Sequence, residues 1–130
     1  MSTPDRLRPH PQERFGAPAQ VFDLTHSAQE LRAEPHPAID GHRQIALFRR
    51  GPVTLVQFVF EPGGVLPEHS ADGVVTMHVL AGRLVIIAED EAHTLGPGEL
   101  VALAPGVPHT VRAEIASEML LTVHRMADMG

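Results

Sequence analysis

Nine histidines, at positions 10, 26, 36, 42, 69, 78, 93, 109 and 124, are the residues of this sequence with the most chemistry to offer. Imidazole nitrogen suits Zn, Fe, Cu and Ni, and its ordinary pKa of ~6.5 lets it exchange a proton near neutrality. His69 and His109 stand apart because each follows a Pro-containing turn in a Gly-rich segment. Read without an ion, each is a buried histidine that hydrogen-bonds a carbonyl and helps close a loop. Glu68 and Asp72 flank the turn at His69 as candidate general bases, although acidic residues beside a Gly turn are commonly solvated. His10, His26, His36 and His42 lie in or near a polar leader and read as surface residues.

Composition removes other chemistries. The absence of cysteine excludes disulfides, thiolate nucleophiles and Cys-based metal or iron–sulfur sites. No Gly-x-Ser-x-Gly elbow, P-loop or dinucleotide-binding glycine fingerprint occurs, so serine acyl transfer, nucleotide hydrolysis and Rossmann cofactor binding lack their structural basis. A net charge of −6 without a Lys/Arg block disfavours nucleic acid as a partner. No apolar run approaches the ~18 residues that cross a bilayer, so no membrane partner is expected and the cytoplasm is the expected location. With no Tyr or Trp and only 5 Phe, stacking on sugars or bases is weakly supported, and an apolar or small acidic ligand fits better.

The elements that must position these histidines are short strands. From Gln44 onward, β-branched and apolar runs alternate with Gly/Pro clusters, which marks strands at 44–49, 53–60, 74–81, 83–88, 92–95, 99–104, 109–114 and 119–125. Nothing between them is long enough for a crossover helix, so the sheet is antiparallel. Upstream, Ser27 to Glu30 fits a capping box, with Pro35 stopping the helix after about two turns. Residues 1–20 show no apolar periodicity and read as a flexible tail, leaving 21–130 as one domain.

Two segments carry a family resemblance. Gly63 to Gly82 resembles the first cupin motif, Gly-x5-His-x-His-x3/4-Glu-x6-Gly, matching it at Gly63, His69 and Gly82. Gly98 to Ala113 resembles the second, Gly-x5-Pro-x-Gly-x2-His-x3-Asn, matching at Gly98, Gly106 and His109. The short interval from Gly82 to Gly98 is similar to that of small single-domain cupins. The resemblance spans roughly 44–125 and implies an all-β, antiparallel jelly-roll barrel of the cupin type with a short N-terminal extension, often a homodimer.

In cupins the metal is usually held by the two histidines and glutamate of motif 1 and the histidine of motif 2. Here the second histidine is Ala71 and the glutamate is Val75. Two imidazoles without a carboxylate bind a divalent ion weakly. The expected pocket is apolar, lined by Val75, Met77 and Val79, with His69 and His109 as its polar groups. The first functional reading is a small-molecule-binding cupin with a degenerate or absent metal site. The second is a metal-dependent oxygenase or isomerase holding Zn, Fe, Ni or Mn through His69 and His109, with His124, His78 or water as a further ligand. Strand alternation places His78 with Thr76 on the outer face, leaves the direction of His124 open, and gives His93 the parity of Leu95.

Overall fold

The computed structural model describes residues 15–126. Helix α1 (Leu24–Arg32) precedes nine strands: β1 (His42–Arg50), β2 (Val53–Phe60), β3 (Val65–His69), β4 (Gly73–Ala81), β5 (Leu84–Ala88), β6 (Glu91–Leu95), β7 (Leu100–Leu103), β8 (His109–Ala113) and β9 (Ser117–Arg125). The helix opens a turn before the Ser27 cap expected from the sequence. Asp23 is the N-cap, its backbone extended (φ −92, ψ 98), and its carboxylate accepts from the His26 amide at 3.0 Å. An Asp side chain satisfies a free first-turn amide as well as Ser does, so the earlier cap wins.

The strands form two antiparallel sheets, ordered β1-β2-β9-β4-β7 and β3-β8-β5-β6. This corrects the closed barrel expected above: among the described residues no ladder joins an edge of one sheet to an edge of the other, so the fold is an open pair of facing sheets. The reason lies in the edge strands. β7 has 4 residues and β3 has 5; β3 also contains Pro67, which has no N–H to donate. Short, interrupted edges cannot carry a ladder around a corner. β3 is also the strand that the sequence pattern missed, because Gly63-Gly64 and Pro67 read as turn.

Alternation along the strands turns one face of each sheet inward. Phe58, Phe60, Val75, Met77, Val79, Met119 and Leu121 of the first sheet meet Leu84, Ile86, Ala88, Val111 and Ala113 of the second in one core. Each fully buried aliphatic side chain there stabilises the fold by ~1.5–3 kcal/mol relative to exposure. The outer face of the first sheet is divided. Over β1 and β2, Ala28 and Leu31 of α1 pack on Val59 and Ile45, and Gln57 Nε2 donates to the Leu24 carbonyl at 2.8 Å. Over β4, β7 and β9 no helix of the described residues covers the same face, with Leu100 56% and Val74 37% exposed.

Two hairpins organise the end of the sandwich that carries His69 and His109. β5 turns into β6 through Glu89 and Asp90, both at positive φ (52 and 64), the geometry of a two-residue type I′ turn. β1 turns into β2 through Gly51-Pro52, and the Arg125 amide at the end of β9 donates to the Pro52 carbonyl at 2.8 Å. Before α1, Arg50 Nη2 donates to the carbonyls of Phe15 and Ala17, each at 2.9 Å. Residues 1–14, which hold most of the expected tail and His10, lie outside the described residues.

Candidate functional site

His69 ends β3 and His109 opens β8, and the two are direct cross-strand partners. That register explains why their rings meet, centroids 4.1 Å apart and planes at 63°. Both turns that deliver them are held by main-chain bonds: Gly106 N donates to Ala71 O at 2.9 Å, joining the β7–β8 loop to the β3–β4 loop, and Met126 N donates to Asp72 O at 2.7 Å. The resemblance brought together His69 and His109, and the fold places them together.

Each ring is oriented by the same local bond. His69 Nδ1 donates to the Pro67 carbonyl at 2.8 Å, and His109 Nδ1 donates to the Val107 carbonyl at 3.1 Å. With the proton on Nδ1, Nε2 of each neutral ring is a bare acceptor. His109 is 2% exposed, and its Nε2 is buried with no hydrogen-bond partner among the described residues. Burial is the main cause that holds the His109 pKa below the ordinary histidine value of 6.5; the neighbouring His69 lowers it further, while the Val107 hydrogen bond opposes both.

The positions where the family places a second histidine and a glutamate are apolar here. Ala71 packs half-buried against the core and Val75 is 3% exposed within it. Met77 and Val79 are fully buried beside Val75. The candidate third ligands point elsewhere. His78 pairs with Leu120 and Leu100, on the face opposite Met77. His124 is exposed and pairs with Val74, so it too lies on the outer face. His93 pairs with the fully buried Ile86 and so has inward parity, but it sits on the edge strand with Nε2 3.7 Å from a Glu91 carboxylate oxygen. Among the described residues, no group of three or more His, Asp or Glu is placed to hold a metal ion.

Two imidazoles with no third protein ligand among the described residues are too few to retain a divalent ion, so the donor set does not fit a resident metal. Glu68 and Asp72 are both exposed, as solvated turn residues are.

The sequence reading left one residue out. His42, set aside as part of the leader, is 9% exposed at the start of β1. Its ring lies against Phe58 and Phe60 (centroids 5.8 and 5.9 Å), and its Nδ1 donates to the Val65 carbonyl at 3.0 Å. Its position, two residues before the expected strand start at Gln44, gives it the parity of Gln44, but its burial comes from its cross-strand partner Phe60.

Two facing antiparallel sheets, a cross-strand histidine pair and apolar replacements at the other ligand positions define a small all-β protein with a degenerate metal site. A family comparison supplies the class: the cupin domain matches residues 56–124. The chain belongs to the cupin superfamily, as a single-domain member without an intact metal-binding cluster among its described residues. Solved structures agree on the fold. A conserved protein of unknown function from Streptococcus pyogenes superposes with a TM-score of 0.67 at 28% identity, covering 82% of this chain and 88% of that one. A cupin superfamily protein from Desulfitobacterium hafniense gives 0.67 at 16%, covering 86% and 95%. KdgF from a Halomonas species gives 0.61 at 22%, covering 75% and 89%. Comparison with curated proteins gives no match.

Proposed function

We propose that this cupin binds a small, mainly apolar molecule at the His69/His109 end of the sandwich, without a resident metal. The observation that carries this reading is the buried, unpartnered Nε2 of His109. A buried acceptor left unpaired costs about 1–3 kcal/mol, which a ligand hydroxyl or N–H would recover. The apolar surroundings at Ala71, Val75 and Val107 supply the rest of such a site, in the usual proportion of many apolar groups to few polar ones. The two histidines act as hydrogen-bond acceptors that orient the ligand, and burial keeps His109 neutral for that role.

The second reading, a metal-dependent enzyme, draws on the same two Nε2 atoms, which the Nδ1 hydrogen bonds leave as acceptors. Its further protein ligands, His78 and His124, lie on the outer face, so only water would complete the site. Native mass spectrometry of protein purified without chelator reads metal and organic ligand in one measurement. The proposal expects no stoichiometric metal and an organic adduct that His109→Ala loses. Near-stoichiometric metal lost by both His69→Ala and His109→Ala would overturn it in favour of the enzyme.

A further inference from the structure

We propose a second binding site, at the opposite end of the sandwich, that takes a small apolar carboxylate on Arg43. It is independent of the His69/His109 site. A cavity of about 300 Å³ opens where the C-terminal end of α1, the start of β1 and the end of β2 converge. Its apolar wall is Val59, Phe60, Pro62 and Ala116, with the His42 ring beside Phe60. Its cations are Arg32 and Arg43.

The two arginines are not equivalent. Arg32 is held by Glu118 at 2.9 Å, so its charge is already matched. Arg43 is half-buried on β1, and no carboxylate of the described residues pairs with it. A guanidinium partly withdrawn from water gains most from an anion that meets its planar fork of donors, and a carboxylate does so through two parallel bonds. Glu61 is the acid in the lining, and it is exposed, whereas Arg43 is half-buried. A cationic ligand would meet Arg43 head-on, and a neutral one would leave it unmatched. The apolar wall then selects a carboxylate with a hydrocarbon body over a bare inorganic anion.

The rim is fixed by the main chain. Glu61 N donates to Gly41 O, Gly64 N to Glu61 O and Val65 N to Asp40 O, each at 2.8 Å. Gly64 lies so close to the Gly41 carbonyl that a side chain has no room there, and Gly41 itself sits at φ +72. A second opening, of about 360 Å³, adjoins the first through His42 and Arg43 but also contains Glu34.

The test is a two-dimensional amide NMR titration of the full chain with benzoate and with benzamide, its uncharged counterpart, using the parent, Arg43→Gln and Arg43→Lys. Benzoate is expected to shift the amides of residues 42–43 and 59–61. Arg43→Gln should weaken it about tenfold or more, the scale of a lost hydrogen bond to a charged group. Arg43→Lys should recover part of the loss, and benzamide should bind more weakly than benzoate to the parent. The proposal is overturned if the two probes bind the parent equally, if Arg43→Gln binds benzoate like the parent, or if no shift appears up to the solubility limit. Shifts confined to residues near His109 overturn it as well. Should Arg43→Gln lose its folded spectrum, the contrast between the two probes on the parent decides.

Discussion

The two ends of this sandwich hold histidines in opposite circumstances. At one end His69 and His109 touch each other, and the Nε2 of His109 is buried without a hydrogen-bond partner among the described residues. At the other, His42 is 9% exposed against 2% for His109, and it borders a cavity flanked by arginines. The difference shows that the recognisable motif is not the only part of the fold whose side chains suit a ligand. The motif end has the family's turns with apolar residues at two ligand positions, and the end with no motif carries Arg43, which no carboxylate of the described residues pairs with.

Substitutions of the same severity should separate the two ends. Met77→Ala removes a fully buried side chain from the layer next to the histidine pair and should cost about 2–5 kcal/mol in chemical denaturation. Arg43→Gln, at the open end, should stay within about 0.5 kcal/mol of the parent, because a half-buried side chain without an ion pair contributes little to folding. Equal losses at both positions would remove the contrast.

Acid should act on the His69/His109 end. The folded His109 pKa lies below its unfolded value of 6.5, so the unfolded chain binds the proton more readily. This contribution is complete above about pH 6.5 and is lost as pH falls from there through the folded pKa. The melting temperature of the parent should therefore drop between pH 7 and pH 5 by more than that of His109→Gln, both followed by circular dichroism. Parallel curves would show that His109 does not carry the acid sensitivity.

A small gain in stability sharpens the picture of the same end. Glu89 and Asp90 adopt positive φ at some strain, and Asn-Gly is the pair such a turn prefers. Replacing both, Glu89→Asn with Asp90→Gly, should stabilise the hairpin by about 0.5–1 kcal/mol in the same denaturation assay. A loss would mean that the two acids contribute more than turn geometry.

What the sequence made legible was local. The inward parity of Val75, Met77 and Val79 and the outward one of His78 follow from alternation on a single strand, and both hold. The pairing of His69 with His109 came from two motif resemblances rather than from periodicity. The illegible parts depend on contacts between distant segments. Whether short edges such as β3 and β7 pair across a corner is decided by the whole sandwich, so the barrel expectation failed. His124 stayed undecided because Leu120, Leu121 and Val123 are apolar on both faces; its neighbours Val74 and Val53 settle it. His42 was overlooked because its burial is created by Phe58, Phe60 and the Val65 carbonyl, all far along the chain.

The glycine contact between residues 41 and 64 bears on timing as well as shape. Because that backbone crossing leaves no slack, the opening beside His42 stands ready before any ligand arrives, and capture needs no loop to fold around it. Entry is then set by encounter, and acids of different fit will differ chiefly in how quickly they depart.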